Sequence, residues 1–364
     1  MSLKDGGIIV IDYGGQTAQL IARRVREVGV YAALVPYDTT LEAAREAVPG
    51  FTGLIFSGGP LSIYAPDAPQ MPAWALDASV PVLGICYGLQ AIAHALGGRV
   101  SPGPKREFGP ATLHTEADDP LFRGVPAQGR VWMSHNDHVE EAPAGFISLA
   151  RSPGAPFAAL GDPARRLYGV QFHPEVSHTE YGAQMLQNFV IDICGAAHNW
   201  TPVNFIEDSV SALRAQLGTS TVLLGLSGGV DSAVTAALLA RAIGDQLHPV
   251  FVNHGMLRQG EPAQVTHTFG AEMGLPLTAV DATEEFLSAL QGVTDPEAKR
   301  RIIGELFVRT FEKAATQSGA FEWLAQGTIY PDVIESAGTG RPGAKRIKSH
   351  HNVGGLPEDM DLQL

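Results

Sequence analysis

Cysteine is scarce in this chain. Only Cys86 and Cys194 occur in 364 residues, so one bridge at most is possible and a disulfide-stapled secreted scaffold is excluded. Basic residues are also in deficit, with 25 Lys and Arg against 38 Asp and Glu and a net charge of −13. That balance argues against nucleic acid as a main partner, because phosphate backbones need a basic face. It leaves room for nucleotides, whose sites need only local donors. No apolar run reaches the length of a membrane span. Lys4 and Asp5 precede a short strand-like run, which is not the pattern of a signal peptide. These absences lead to the expectation of a cytoplasmic protein with neither membrane nor nucleic-acid partners. What is present, 45% hydrophobic and 17% charged residues, suits an ordinary core-forming chain of two or three domains.

Short apolar runs alternate with helical periodicity. Ile8–Ile11, Val30–Val35, Gly53–Phe56 and Val82–Ile85 read as strands, with helices around Leu20–Val28 and Gln90–Leu96. Alternation of this kind predicts an α/β, doubly wound fold with a mostly parallel sheet. Ligands of such sheets bind at the carboxyl ends of the strands. From Lys105 to Pro163 the pattern loosens, and the expectation is short strands. Leu167–Phe172 resumes a strand and Tyr181–Ile193 a helix. Gly195–Pro202 reads as a domain boundary. Strands at Thr221–Leu226 and His248–Val252 and helices from Asp231 and Glu261 then restart an α/β pattern. A charged helix covers Asp295–Thr316, and Ser336–Pro357, rich in Gly and basic residues, reads as a mobile loop.

Gly84-Ile85-Cys86-Tyr87-Gly88 falls between a strand and a helix. The glycines permit a tight, strained turn that lifts the cysteine out of the sheet. There the helix N-terminus favours thiolate, and the Tyr87 N–H is placed for a developing oxyanion. Gly59, in Ser57-Gly58-Gly59-Pro60, is the candidate for the second oxyanion donor. His173, in His173-Pro174-Glu175, is a candidate general base and acid, with Glu175 orienting it. This set suits a cysteine attacking a glutamine side-chain amide. Cys194, in an apolar helical stretch, reads as packing. His135 and His138 lack further ligands at metal-binding spacing and read as loop histidines.

Ser227-Gly228-Gly229-Val230-Asp231-Ser232, with Ala233 after it, follows the apolar run Leu223–Leu226. Glycine N–H groups and a helix N-terminus suit a pyrophosphate, the serines add hydroxyl donors, and Asp231 suits a magnesium ion. No Gly-Lys-Ser/Thr follows, so this is not a Walker A loop.

The first half resembles the class I (triad) glutamine amidotransferases. The matching blocks are Asp12-Tyr13-Gly14-Gly15-Gln16, Ser57–Pro60, Gly84–Gln90 and Gln171–Glu175. The resemblance implies a Cys86, His173, Glu175 triad, with Gln90 helping to hold glutamine. Trp132–Asp137, containing Ser134 and His135, resembles the segment that binds the glutamine backbone atoms. The Ser-Gly-Gly-x-Asp-Ser loop resembles that of the N-type ATP pyrophosphatases, which adenylate an acceptor and release pyrophosphate. Asp295–Gly304, Leu324–Asp332 and Ile347–Pro357 extend the likeness to the glutamine-hydrolysing GMP synthase family, from about residue 8 to Met360. This implies an amidotransferase domain over 1–198 and an ATP pyrophosphatase domain over 199–364. The implied substrates are glutamine, ATP with Mg2+, and xanthosine 5′-monophosphate (XMP), with Lys348 on a basic lid and no tightly bound organic cofactor.

Three departures follow. Asn136 and Asn253 stand where the family usually has Gly and Asp. Asn tolerates left-handed backbone angles better than most residues, so the loop at 136 is expected to survive. The family continues past Pro357-Glu358-Asp359-Met360 into a third domain that completes the XMP site and usually makes the homodimer. The chain as written ends at Leu364, so the expectation is glutamine hydrolysis with little or no GMP made and no secure dimer. The alternatives are another glutamine-dependent adenylating ligase, an uncoupled glutaminase, or a glutamine- or nucleotide-sensing module.

Overall fold

A computed structural model describes residues 3–318 and 321–327 of the chain. The stretch 336–357, Lys348 within it, and residues 328–332 of the Leu324–Asp332 motif lie outside the described residues. The chain divides into two compact units, Met1–Phe205 and Ile206–Leu364.

The first unit is built on β1 (Ile8–Asp12), α1 (Ala18–Glu27), β2 (Ala32–Pro36), α2 (Leu41–Ala47), β3 (Gly53–Phe56), α3 (Trp74–Asp77), β4 (Val82–Ile85) and α4 (Tyr87–Ala95). Then come β5 (Arg99–Thr115), β6 (Gln128–Glu141), β7 (Ile147–Arg151), β8 (Ala159–Asp162), β9 (Leu167–Val170) and α5 (Gly182–Gln187). The nine strands form one sheet in the order β2-β1-β3-β4-β9-β8-β7-β5-β6. From β2 to β9 the neighbours run parallel. From β9 outward they are antiparallel. Side chains alternate across a strand. Ile8 and Val10 therefore join Ile21 and Val25 of α1 in one apolar layer, while Ile9 and Ile11 join Leu89 and Ile92 of α4 in the other. Burial on both faces explains why β3 and β4 are apolar throughout.

The stretch expected to hold short strands takes in most of β5 and all of β6, the two longest strands among the described residues at 17 and 14 residues. Pro102, Pro104, Gly109 and Pro110 interrupt the alternation that would have signalled β5. The register shift between Pro102 and Glu107 takes up the irregularity as a bulge. The Tyr181–Ile193 helix is also not uniform: after α5 the chain widens into π-helical turns over Asn188–Ile193.

The remaining elements are α6 (Pro202–Leu217), β10 (Val222–Leu226), α7 (Val230–Ile243), β11 (Leu247–Asn253), α8 (Glu261–Val265), β12 (Thr278–Asp281), α9 (Thr283–Leu290), α10 (Pro296–Ser318) and β13 (Trp323–Ala325). Four parallel strands form a second sheet in the order β12-β11-β10-β13. Val222, Leu224 and Leu226 face one apolar layer and Leu223 the other. Both candidate turns leave the carboxyl ends of central strands, β4 and β10.

Candidate active site

Cys86 follows β4 directly and stands at the start of α4 with φ 53° and ψ −103°. A non-glycine residue held at positive φ stores on the order of 1–3 kcal/mol, so the surrounding packing must impose it. A Cβ at Gly84 would lie 2.5 Å from the Gly88 backbone, and one at Gly88 2.5 Å from the Phe56 carbonyl oxygen. Both positions therefore need glycine for close approach. The Cys86 N–H donates to the Val170 carbonyl of β9 at 2.8 Å, and the Gly88 N–H to that of Ser57 at 3.1 Å.

His173 lies just beyond β9. Its N–H donates to the Trp132 carbonyl at 3.0 Å, and its own carbonyl accepts from the Thr179 hydroxyl at 2.7 Å. The ring Nδ1 stands 2.7 Å from Oε1 of Glu175, whose side chain is fully buried. Burial alone would lower the imidazolium pKa; its interactions with Cys86 and Glu175 outweigh that and push it up to about 10. A thiol is thus gathered with an imidazole and a carboxylate that stand almost ninety positions further along the chain and two residues from each other. The Cys194 thiol borders the core of this unit, and burial pushes its pKa up.

A cavity of about 240 Å³ opens beside Cys86, lined in part by Gly59, Tyr87, Gln90, Ser134, His135 and Asp137. It is smaller than the roughly 300–1,000 Å³ of sites for drug-sized ligands. Ser134 presents its carbonyl 3.6 Å from the Cys86 sulfur. Gln90 donates to the Asp137 carbonyl at 2.7 Å. His135 and His138 are buried on β6, not in a loop. His135 Nδ1 is 3.1 Å from the Asp137 carbonyl and Nε2 is 3.2 Å from Glu107. Burial lowers its pKa, and the Glu107 carboxylate offsets this only in part. Asn136 also lies in β6, and among the described residues the non-glycine positions with positive φ are Ser79, Cys86 and Arg166. The left-handed tolerance invoked for Asn136 is therefore not used.

Several residues at this site received no role from the sequence. Gln171, fully buried, donates through Nε2 to the Cys86 sulfur at 3.7 Å. Ser57 ties together the turns around Cys86. Both stand inside recognised motif blocks, which was the available signal. Glu107 and Phe108 reach the site from the long hairpin. Phe108 lines the cavity although 64% exposed, and nothing local in the sequence marks it.

In the second unit Gly229 caps α7, and Gly228 has φ +79°. A Cβ on Gly228 would stand 2.7 Å from Val265. The Ser227 and Ser232 hydroxyls lie 3.1 Å apart, and Ser232 Oγ donates to the Gly229 carbonyl at 3.0 Å. Ala233 N–H donates to that same carbonyl at 3.0 Å. Val230 is 77% exposed, and Asp231 is exposed beside it in the first turn of α7. The chain just past β13 abuts this turn: a Cβ on Gly327 would lie 2.7 Å from the Asp231 carbonyl carbon. Asn253 accepts the Gly255 N–H through its side-chain oxygen at 3.2 Å.

Comparison with known proteins fits this arrangement. Residues 9–193 match the family described as glutamine amidotransferase class-I, and residues 201–315 match NAD synthase. A GMP synthase [glutamine-hydrolyzing] of Thermomicrobium roseum is 55% identical over 359 residues, covering 98% of this chain and 67% of that protein. The chain belongs to the glutamine-hydrolysing GMP synthases. The protein of the same name from Actinobacillus succinogenes is 52% identical, over 98% of this chain and 69% of its own length. That of Vibrio vulnificus is 49% identical, over 100% and 70%. Identity that runs through both units singles out GMP synthases over a ligase that shares only one half. Among the described residues no helix is long and apolar enough to cross a membrane.

Proposed function

We propose that this chain hydrolyses glutamine at Cys86 and delivers the ammonia to XMP activated by ATP, giving GMP. Cys86 thiolate attacks the glutamine amide carbon, and a C–S bond forms as the carbonyl electrons move to oxygen. The N–H groups of Tyr87 and Gly59 are the oxyanion donors. His173, as imidazolium, protonates the departing nitrogen, the C–N bond breaks and ammonia leaves. His173 then takes a proton from water, which attacks the thioester to release glutamate and restore the thiolate. Gln90, Ser134 and His135 hold the substrate. The observation that carries this reading is the strained Cys86 cap facing the buried His173–Glu175 pair. A reducing, cytoplasmic setting suits such a thiol.

Residues Ser227–Ala233 cradle the phosphates of ATP through backbone N–H groups and two hydroxyls. Without a Walker lysine, cleavage between the α and β phosphates is the proposed outcome, with AMP transferred to XMP. Magnesium enters with ATP. Among the described residues no cluster of three or more metal-ligating side chains gathers. The single exposed carboxylate of Asp231 suits an ion held mainly by phosphate oxygens and water. The test is one incubation with glutamine, ATP, magnesium and XMP, following ammonia, GMP and the adenine nucleotide. Glutamate, GMP, AMP and pyrophosphate are expected; glutamate without GMP would bear out the uncoupled glutaminase instead. ADP with phosphate would overturn the ATP assignment, and no glutamate release would overturn the cysteine assignment.

A further inference from the structure

Ser57 closes β3 and is fully buried, yet every polar group it carries is used. Its N–H donates to the Ile11 carbonyl at 3.0 Å, and its own carbonyl accepts the Gly88 N–H at 3.1 Å. Its hydroxyl accepts the Tyr13 N–H at 3.0 Å and donates to the Gly58 carbonyl at 2.9 Å. One residue thus joins three turns: the Asp12–Gly15 loop, the Gly58–Gly59 turn and the Cys86 elbow.

The bond to Gly58 bears on chemistry. In a trans peptide the carbonyl and the following N–H point in opposite directions, and the described residues contain no cis bond. Holding the Gly58 carbonyl therefore holds the Gly59 N–H. Gly15 confines the same carbonyl from the other side, since a Cβ there would stand 2.4 Å from the Gly58 oxygen. A turn with two glycines would otherwise let this peptide rotate, because glycine has little steric preference.

We infer that Ser57 is a positioning residue: its hydroxyl latches the Gly58–Gly59 peptide so that the Gly59 N–H faces the cavity beside Cys86 and meets the oxyanion. This rests on the glutaminase reading above. Ser57 touches neither substrate nor sulfur in this account, so losing the latch should slow the step that develops oxyanion charge. The nucleophile itself should be spared.

The test uses the full chain with ATP, magnesium and XMP present, and reads glutamate release alongside the rate of Cys86 alkylation by iodoacetamide. Alkylation needs a reactive thiolate but no oxyanion donor. In Ser57→Ala, kcat should fall about 10- to 100-fold, up to the ~10²-fold of a misplaced group and short of the roughly 10²–10³-fold for removing an oxyanion donor outright, with KM and alkylation near wild type. Gly15→Ala perturbs the same carbonyl while keeping the hydroxyl, and should lower kcat in the same way. It decides the matter should Ser57→Ala not fold. The inference is overturned if kcat in either folded variant stays near wild type, or if alkylation falls with it, which would put the effect on the nucleophile. A Cys86→Ala control keeps the two readings apart. If that control still releases glutamate, the glutaminase reading fails; if it is dead while the folded variants are unaffected, only the latch fails.

Discussion

The turn after β4 and the turn after β10 both leave a parallel strand for a helix, and both suit negative charge, but different contacts hold them. Around Cys86 the contacts come from far along the chain. Ser134 meets the sulfur from 48 residues away and Gln171 from 85, while Tyr13 and Ser57 are joined across 44. The Ser227–Ser232 loop is organised from within, by hydroxyl and backbone bonds spanning two to five residues. Cys86, His173 and Glu175 are buried, whereas Val230 and Asp231 stand in the open. The cysteine site is held by long-range contacts, as the electrostatic preorganisation proposed for it requires. The phosphate loop offers donors that a ligand must complete.

The strongest way to break this comparison is to remove the proposed nucleophile. Cys86→Ala should lower glutamate release by about 10⁴-fold or more, and His173→Ala should be about as damaging, because groups that act as one unit are not additive. Steady-state glutaminase assays decide it. Near wild-type turnover in Cys86→Ala would remove the site from the first unit altogether.

Glu175→Gln should cost about 10²-fold or more in kcat, since the residue orienting a catalytic imidazole fixes its tautomer. A shift in pH dependence should accompany the loss. His173 is raised from an ordinary value near 6.5 to about 10, against the effect of burial, with Glu175 among the causes. A raised value means that the folded state holds the proton more tightly, so the imidazolium persists through neutral pH and is lost as pH climbs towards 10. Without the carboxylate that loss comes at lower pH, and the alkaline limb of kcat/KM should move in the acid direction. An unmoved limb would mean that Glu175 does not tune His173.

The two regions were also unequally legible in the sequence. The parallel strands β1, β3 and β4 were plain, because burial on both faces makes them continuous apolar runs. The elbow and the phosphate loop were plain because close approach and positive φ demand glycine at fixed spacing. The β5–β6 hairpin was not: its prolines and glycines break the alternation, and the bulge after Pro102 hides the register. Phe108 reaches the cavity from that hairpin and Glu107 meets His135 from it, so their part is invisible in the sequence. For the same reason Asn136 reads as a loop residue from the sequence, whereas it lies in a strand. Ser57 and Gln171 could be seen in their motifs, but their partners emerge only once the chain is folded.

A smaller effect is expected at the open site. Asp231→Ala should weaken magnesium-dependent ATP binding about tenfold, near 1.4 kcal/mol. An exposed carboxylate shares its ion with phosphate and water, so it is not the sole support. Calorimetric titration of ATP with and without magnesium measures this. Equal weakening in both conditions would point to a change in the loop and not to lost ion contact.

The smallest effect should come from Asn136→Gly, which introduces the residue that the family resemblance leads one to expect there. If position 136 needed a left-handed backbone, glycine would relieve strain and improve the enzyme. Its place within β6, without positive φ, argues otherwise. Glycine in a strand raises the entropy lost on folding and costs roughly 0.5–1 kcal/mol. For a unit of this size that lowers Tm by about 1–4 °C. Asn136 lines the cavity but makes no side-chain hydrogen bond among the described residues, so KM for glutamine should stay within about threefold, under 1 kcal/mol. Thermal melts and glutamine saturation curves on the same preparations read both quantities. A tenfold gain in kcat/KM with unchanged Tm would mean that the working enzyme passes through a backbone conformation at 136 that only glycine reaches easily, and the cysteine site would then be less rigid than the comparison with the phosphate loop makes it.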